Sequence, residues 1–312
     1  MPEGAGPLSP VIRGTVSERE PLARHTTLRI GGPAALFALP VDAADIAAAL
    51  RWAAQAGAPW RVIGPGSNLL CPDEGFPGLV LDLGRACDGI SWEDGGRVEA
   101  GAGVHLARLL QASARRGLSG LEGVAGVPGT VGGALAMNAG TARGEFGAVV
   151  ESAEVLRPAD GALLRLDAAA LAFRYRGSRI ADEGLVAVSA RLRLQPADPA
   201  EVRAALGALA ARRRRTQPVH LPSAGSIWTN PPGDHAGRLI EACGCKGLRR
   251  GDAEVSPLHA NFIVNVGRAR AEDVLGLMRE VRAAVRAGCG VHLHPELRWL
   301  RGQEELEALL AP

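Results

Sequence analysis

The stretch from Gly117 to Gly140 constrains the fold of this chain most, and it reads GLSGLEGVAGVPGTVGGALAMNAG. Eight of its residues are glycine, Glu122 is its only charged residue, and most of the others are small or apolar. A turn needs only one or two glycines, so this density indicates a backbone that passes close to a bound group and directs N–H groups at it. We predict a loop packed inside the fold that wraps the phosphates and ring of a nucleotide-like cofactor. A tight, buried chain crossing is the alternative.

A second glycine loop, Gly64 to Asn68, follows a predicted strand over residues 60–63. Leu69 occupies the third glycine position of the dinucleotide fingerprint, and a turn-like segment follows instead of a long helix. A P-loop NTPase is excluded because its motif needs Gly-Lys, and the only lysine, Lys246, follows Cys245. The segment is therefore a phosphate loop of another kind or a plain turn.

Composition excludes several classes of protein. The 312 residues suffice for two or three domains, and a net charge of +2 argues against a dedicated nucleic-acid or membrane surface. The cysteines are odd in number and scattered, and the Cys-x-Cys and His-x-His spacings are not those of structural zinc sites, so we expect no disulfide framework and no metal. No apolar run reaches transmembrane length and residues 1–20 lack the apolar core of a signal peptide, which predicts a cytoplasmic protein.

Hydrophobic periodicity predicts strands and helices along the whole chain. A boundary is predicted near Thr216, followed by a compact α+β unit of about 80 residues. Asp42 is a candidate N-cap for the first helix. The predicted helices end at or near residues 56, 116, 215, 243, 287 and 310, and the predicted strands cover residues 34–39, 60–63, 79–83, 97–100, 149–157, 163–166, 185–194, 261–266 and 291–300.

Three motifs occur in an order that resembles one family. They are GPGSN at residues 64–68, the glycine-rich stretch, and GS-x-x-x-NP at residues 225–231. Further matches are Tyr-Arg-x-Ser at 175–178, His-Ala-Asn-Phe at 259–262 and His-Pro-Glu-Leu-Arg-Trp at 294–299. Together they resemble the UDP-N-acetylenolpyruvoylglucosamine reductases (MurB), flavoenzymes of peptidoglycan synthesis. One branch of that family closes its site with a mobile tyrosine. The single tyrosine here, Tyr175, already belongs to a motif, so the chain resembles the branch without that lid.

The resemblance implies an α+β fold, in which a two-lobed FAD-binding domain of the vanillyl-alcohol-oxidase/PCMH type is joined to a smaller α+β substrate domain. It implies that NADPH reduces FAD, which then passes hydride to the enolpyruvyl ether of a UDP-sugar and yields UDP-N-acetylmuramate; it implies no oligomeric state. Another FAD-dependent oxidoreductase, such as a sugar or alcohol oxidase, and a non-catalytic nucleotide-binding protein remain alternatives. The implied segments are a loose leader (1–20), two FAD-binding lobes (21–83 and 84–215), a substrate-binding domain (216–302) and a C-terminal helix (303–312).

The resemblance also implies roles for individual residues. Arg176 grips the substrate carboxylate through two hydrogen bonds, Glu296 polarises the enol through a water or as a protonated acid, and Ser226 donates a proton. Thr229 stands where the family usually has a basic residue that contacts phosphate. The implied substrate-binding residues are Tyr175, Arg214 and Asn230. The implied FAD-binding residues, among which no histidine or cysteine is available for a covalent flavin bond, are Gly64, Gly66, Ser67, Asn68, Gly126, Pro128, Gly129, Thr130, Gly132 and Gly133.

Each catalytic candidate also has an ordinary structural interpretation. Ser226 could cap a turn, and Arg176 could form a surface ion pair. Glu296, on a strand near Arg298, could be part of an ordinary cross-strand charge pair, and the run Arg212–Arg215 could be a solvated helix end.

Overall fold

The computed structural model describes residues 8–9 and 11–311, and these divide into two compact units. The first unit contains the described residues up to Glu18, Leu36–Gly64 and Pro77–Ala211. The second contains Arg19–Ala35, Pro65–Phe76 and the described residues from Arg212 onward. Both units are therefore discontinuous in sequence, whereas the predicted domains are contiguous segments.

Short strands and helices follow one another along the chain, as an α+β fold requires. The strands are β1 Thr15–Pro21, β2 Pro33–Leu39, β3 Trp60–Ile63, β4 Leu69–Leu70, β5 Phe76–Asp82, β6 Ile90–Glu93, β7 Arg97–Gly101, β8 Leu118–Ser119, β9 Gly140–Thr141, β10 Gly144–Glu145, β11 Val150–Arg157, β12 Ala162–Asp167, β13 Val186–Arg193, β14 Gln195–Pro196, β15 Ser223–Ser226, β16 Arg249–Arg250, β17 Ala253–Val255, β18 Phe262–Asn265 and β19 Arg298–Trp299. The helices are α1 Ala43–Gln55, α2 Leu106–Arg115, α3 Val131–Met137, α4 Arg179–Asp182, α5 Pro199–Thr216, α6 Ala236–Ala242, α7 Ala271–Cys289 and α8 Gln303–Leu309. Among the described residues, no helix combines the length and apolarity needed to cross a membrane.

The predicted leader over residues 1–20 is only partly open to comparison. Residues 1–7 and 10 lie outside the described residues. The structure places β1 over Thr15–Pro21, so the last part of the predicted leader is a strand, with β2 as its neighbour in a sheet.

Two sheets account for much of the first unit. One has the strand order β1-β2-β5-β3 with β3 and β5 parallel, and the other is the antiparallel sheet β12-β11-β13-β7-β6. Helix α1 buries Ile46 and Leu50 in the core, and Asp42 caps it as predicted, because Asp42 Oδ1 accepts a hydrogen bond from the Asp45 N–H at 2.9 Å. Strand β3 ends at Ile63, so the sheet delivers the chain directly into the Gly64 loop.

Most of the glycine-rich stretch is buried or half-buried, although Gly126, Pro128 and Gly133 are exposed, and the stretch is not a continuous loop. Its second half contains α3, which Thr130 caps by accepting a hydrogen bond from the Gly133 N–H at 3.5 Å. A Cβ atom on Gly132 would lie 3.1 Å from the Ala102 Cβ, so glycine permits close packing there. Asn138 ends the helix in the left-handed conformation, with φ of 42°. The predicted loop is therefore a helix over Val131–Met137, because Thr130 and Asn138 cap a short helical segment there.

The second unit is built around the sheet β15-β18-β17-β16, against which α6 and α7 bury an apolar core. Strand β4 pairs in parallel with β19, so Leu69–Leu70 lie beside Arg298–Trp299 near the end of the chain. Leu28, Ile30 and Leu70 belong to the same core as residues of α7. This long-range packing is the reason why the second unit draws on three separate segments.

The strand predicted over residues 291–300 is mostly absent. Only Arg298–Trp299 form a strand among these residues, and the preceding residues extend along the segment that follows Ser226. Pro295 has no N–H to donate to a ladder, and isolated contacts replace one. The Thr229 N–H donates to the His294 carbonyl at 2.9 Å, and the Glu296 N–H donates to the Ile227 carbonyl at 2.8 Å.

Candidate functional site

The first unit contains a cavity of about 430 Å³ where the two glycine loops meet. Gly64 from the first loop and Thr130, Gly132 and Gly133 from the second line it. A Cβ atom on Gly64 would lie 3.2 Å from Thr130 Oγ1, so the bare glycine backbone keeps this wall open. The volume falls within the range of roughly 300–1,000 Å³ typical of small-molecule sites. The structure therefore brings four of the predicted cofactor residues to one cavity.

Other parts of the cavity wall were not selected from the sequence. Gly84, Gly103 and Gly184 leave further backbone exposed to it, and Arg61 lines it too. Burial lowers the pKa of the Arg61 guanidinium, which still remains cationic at neutral pH. Gly103 had a sequence signal, since it follows a strand in Gly101-Ala102-Gly103, whereas the others had none.

Several other predicted cofactor residues lie elsewhere. Gly126, Pro128 and Gly129 do not line this cavity, although Gly126 and Gly129 have φ of 76° and 142°, which favours glycine there. Gly66 belongs to the second unit, and a Cβ atom on it would lie 2.4 Å from the His25 carbonyl oxygen. Close packing of the backbone is thus sufficient reason for a glycine at position 66.

Tyr175 and Arg176 form the tip of a tight turn in the first unit. The backbones of Arg174 and Gly177 exchange hydrogen bonds of 3.0 and 3.1 Å across it. Arg176 has φ of 58°, a conformation that glycine adopts far more readily than arginine. Its guanidinium lies over the Tyr175 ring, 4.8 Å from the ring centroid, and Nη2 donates to the Gly140 carbonyl at 3.3 Å. These two contacts place the Arg176 guanidinium beside Tyr175 and the Gly140 backbone within the first unit.

The buried side chain of Asn138 holds this turn in place. Its Oδ1 accepts a hydrogen bond from the Gly147 N–H at 2.9 Å, and its Nδ2 donates to the Arg174 carbonyl at 3.2 Å. Ser178 is also fully buried, and its Oγ donates to the Ala136 carbonyl at 3.0 Å. The glycine-rich stretch therefore supports the turn through side chains as well as through packing.

Replacing Asn138 tests this arrangement. Asn138→Gly keeps the left-handed backbone but removes the amide, and we expect a loss of stability of roughly 1–3 kcal/mol for each buried backbone group left unpaired. Asn138→Ala should be less stable than Asn138→Gly by about 1 kcal/mol, because alanine tolerates positive φ poorly. Urea unfolding of both variants measures these differences. Equal stability of the two variants would contradict the left-handed conformation at position 138.

Ser226 lies at a β-bulge in the second unit. Ser223 pairs with Val264 and Ser226 with Phe262, so β15 carries one extra residue between these two pairs. Gly225, with φ of 73°, provides the left-handed residue that a bulge of this type requires. Bulges re-aim side chains, which is a reason why they are common beside active sites. Within the part of the chain that the structure describes, the half-buried Ser226 hydroxyl makes no hydrogen bond, so it does not cap a turn there.

Three motifs that are far apart in sequence meet around Ser226. The Ile227 carbonyl accepts hydrogen bonds from the Glu296 and Leu297 N–H groups at 2.8 and 3.2 Å. The Glu296 carbonyl accepts one from Asn68 Nδ2 at 3.1 Å. The Ser67 carbonyl oxygen lies 3.8 Å from the position of a Cβ atom on Gly225. The end of the first glycine loop, the serine and the glutamate thus share one neighbourhood of the second unit.

The predicted substrate-binding residues are positioned differently from one another. Asn230 is exposed, and its Oδ1 accepts a hydrogen bond from the Ala236 N–H at 3.0 Å, at the start of α6. Arg214 is exposed near the end of α5, whereas its neighbour Arg213 is half-buried and burial lowers the pKa of its guanidinium. The sequence alone could not distinguish these two arginines. Thr229, in place of a basic residue, donates from Oγ1 to the His294 carbonyl at 3.1 Å.

Comparison with known proteins identifies the family. Residues 34–167 match the model of the FAD binding domain, and residues 217–300 match that of the UDP-N-acetylenolpyruvoylglucosamine reductase C-terminal domain. UDP-N-acetylenolpyruvoylglucosamine reductase 2 of Symbiobacterium thermophilum is 44% identical over 293 residues, covering 93% of this chain and 94% of that protein. The chain belongs to the MurB family. A MurB relative from Anaeromyxobacter sp. is 46% identical over 303 residues, covering 96% of this chain and 94% of its own. The crystal structure of Thermus caldophilus MurB has a TM-score of 0.77 at 38% identity and covers 92% of this chain and 99% of its own.

The first unit fits the FAD that MurB membership implies. Glycine backbone on two loops leaves room for a bound group close to the chain, and Arg61 adds a positive charge to the same cavity. The N–H groups of Gly132 and Gly133 donate to the Ala102 carbonyl and to Thr130 Oγ1. Apolar side chains such as Ile63 and Leu83 line other parts of it, as a site for aromatic rings needs. The family comparison confirms the FAD cofactor, the α+β fold with an FAD binding domain, and the oxidoreductase class.

Proposed function

We propose that this chain reduces the enolpyruvyl ether of a UDP-N-acetylglucosamine derivative to UDP-N-acetylmuramate, with NADPH as the source of electrons. The proposal rests chiefly on the meeting of Asn68, Ser226 and Glu296 around the Ile227 backbone in the second unit. It is supported by relatives named UDP-N-acetylenolpyruvoylglucosamine reductase at 44–47% identity. FAD, when bound, supplies the hydride that reaches the terminal carbon of the enol ether.

Arg176 is proposed to bind the substrate carboxylate. When hydride adds to the terminal carbon, negative charge develops on the neighbouring carbon and on its carboxylate. A guanidinium can meet a carboxylate with two parallel hydrogen bonds, and it is always charged at neutral pH. The turn holds the Arg176 backbone in a fixed conformation. The guanidinium can therefore stabilise the developing charge with little reorganisation of the protein.

Ser226 is proposed to donate a proton to the carbon beside the carboxylate, the carbon on which negative charge develops after hydride addition. A free serine is a weak acid, so the charge left on its oxygen needs stabilisation from neighbouring groups. Glu296 lies near Ser226 in space, because its N–H donates a hydrogen bond to the carbonyl of Ile227, the residue that follows Ser226. We propose that Glu296 polarises the enol, and that Tyr175, Arg214 and Asn230 bind the remainder of the UDP-sugar. The FAD-binding roles of the residues in the two glycine loops remain part of the same proposal.

A single experiment on the purified holoenzyme tests the function. The protein should be yellow, and acid precipitation should leave the flavin in the supernatant, because the bond to FAD is non-covalent. Under anaerobic conditions NADPH should bleach the visible absorbance, and the enolpyruvyl UDP-sugar should restore it with formation of a product two mass units heavier. Reoxidation by oxygen alone, with consumption of a sugar or an alcohol, would favour an oxidase. A colourless protein that releases no flavin would favour a non-catalytic nucleotide-binding protein.

We also propose that the protein acts in the cytoplasm without nucleic-acid or membrane partners. All five cysteines are free in the structure, as is usual in a reducing compartment. A net charge of +2 provides little attraction for nucleic acid or for an anionic membrane. Fractionation of cells that produce the tagged protein tests this, and we expect the protein in the supernatant. Recovery in the membrane pellet would contradict the proposal.

A further inference from the structure

Asn261 makes an unusual pair of hydrogen bonds in the second unit. It lies just before β18, and only 4% of its surface is exposed. Its Oδ1 accepts from the Trp228 N–H at 2.9 Å, while its Nδ2 donates to the Trp228 carbonyl at 2.8 Å. One amide side chain thus satisfies both backbone polar groups of a residue 33 positions away. A carboxamide suits this role because it presents an acceptor and a donor side by side.

The clamped residue lies at the point where the sheet ladder ends. Ser226 and Phe262 form the last ladder pair of β15 and β18, so the chain beyond Ser226 has no ladder to fix it. Asn261 substitutes for that ladder: its carbonyl accepts from the Ile227 N–H at 2.9 Å, and its side chain holds Trp228. The two residues that follow Ser226 are therefore both held by Asn261.

Side-chain packing and a further hydrogen bond also hold the Ile227–Trp228 segment. The Trp228 ring is 1% exposed, and the Arg282 guanidinium lies 5.2 Å from the ring centroid. The Ile227 carbonyl receives the Glu296 N–H. A buried backbone left without partners costs roughly 1–3 kcal/mol per group, so loss of the Asn261 amide would force this segment to shift. Such a shift would displace Ser226 and Glu296 together, because Ser226 precedes this segment and the Glu296 N–H is bonded to it.

We propose that Asn261 is a positioning residue for proton transfer, because its amide fixes the Ile227–Trp228 backbone and thereby the direction of the Ser226 hydroxyl. This inference rests on the proposed function, and in particular on Ser226 as the proton donor. The same amide also pairs two buried backbone groups, so a loss of stability alone would not distinguish positioning of Ser226 from a purely structural role. The chemistry that it serves is delivery of a proton to a carbon atom, which requires the hydroxyl to be aimed within a small angle.

The test uses Asn261→Asp, which retains the volume and the acceptor but replaces the donor to the Trp228 carbonyl with an oxygen. We expect reoxidation of the reduced holoenzyme by the enolpyruvyl UDP-sugar to slow by roughly 100-fold, the cost typical of a small misplacement of a reacting group. Flavin reduction by NADPH and the dissociation constant of the sugar should stay near their wild-type values. Anaerobic stopped-flow absorbance measures both half-reactions.

Asn265→Asp is the matched control. Asn265 is the last residue of β18 and is 5% exposed, and its Nδ2 also donates to a backbone carbonyl, that of Leu28, at 3.1 Å. Its Oδ1 accepts from the Gly267 and Ala269 N–H groups, so none of its side-chain hydrogen bonds reaches Ser226, Ile227 or Trp228. We expect a comparable fall in thermal stability and unchanged reoxidation. Equal slowing in both variants would mean general damage to the fold and would overturn the proposal.

A double-mutant cycle separates positioning from any other role. If Asn261 acts through Ser226, then Asn261→Asp should slow reoxidation by less than about threefold once Ser226 is already alanine, because the two effects are not independent. A full additional 100-fold loss would overturn the proposal. If Asn261→Asp does not yield folded flavoprotein, Asn261→Ala is read by the same criteria. Wild-type enzyme that the sugar fails to reoxidise overturns the proposed function and this inference together, whereas normal reoxidation of Asn261→Asp overturns this inference alone.

Discussion

Replacement of Ser226 with alanine is expected to slow flavin reoxidation by the enolpyruvyl UDP-sugar by about 10²–10⁴-fold, the usual cost of losing a general acid. Flavin reduction by NADPH should be unchanged, because that step delivers no proton to the enol carbon. Substrate affinity should change little, since one hydroxyl contributes on the order of 1 kcal/mol to binding. Stopped-flow reoxidation of prereduced enzyme measures the effect.

Two further variants sharpen this result. Ser226→Cys should recover part of the rate, because a thiol can also donate a proton. Ser223→Ala removes a hydroxyl from the same strand on the other side of the Gly225 bulge, and it should reoxidise at the wild-type rate. A Ser226→Ala enzyme that reoxidises as fast as wild type would show that the serine is not the acid.

Arg176→Lys is the second substitution with a large expected effect. Lysine keeps the positive charge and carries the same strain at positive φ, but it loses the planar pair of donors. Hydrogen bonds to charged groups contribute about 1.5–3 kcal/mol, so we expect reoxidation to slow by roughly 10–100-fold. Flavin reduction by NADPH should remain nearly normal. The two half-reactions are again separated by stopped-flow absorbance.

Arg174→Lys provides the control for this substitution within the same turn. Arg174 pairs with Asp182 through Nη1 and Nη2 at 2.7 and 2.5 Å on an exposed surface, and exposed pairs contribute little. Arg174→Lys should therefore leave both half-reactions close to wild type. Equal losses in both half-reactions of Arg176→Lys would assign Arg176 to folding or to flavin binding instead.

Local features were the part of the fold that the sequence could predict. Strand β3 was predicted with the bounds that it has, and Asp42 caps α1 as expected, because alternation of apolar residues and caps depend on neighbouring residues. The sequence predicted that the two glycine loops hold one cofactor, but it did not predict that Gly64 and Thr130 would line the same cavity. Glycine density indicated the class of ligand but not which glycines face it.

Features that depend on distant partners were beyond the sequence. Helix α3 has glycine at Gly132 and Gly133, which lowers its intrinsic propensity, and only its caps and its packing stabilise it. The discontinuous second unit depends on pairing between β4 and β19, which no local pattern encodes. Asn261 was noted as part of a motif, yet its role needed the position of Trp228, 33 residues earlier.

The assembly of the second unit has a consequence for how the chain folds as it is made. Leu28, Ile30 and Leu70 share a core with residues as late as Leu306 and Leu310. At about 5–20 residues per second, the ribosome needs on the order of ten to fifty seconds to pass from one group to the other. During that interval the early apolar residues lack the partners that will cover them. Removal of α8 takes Leu306 and Leu310 out of this core, so it should expose Leu28, Ile30 and Leu70 and destabilise the second unit, which thermal unfolding of the truncated protein would measure.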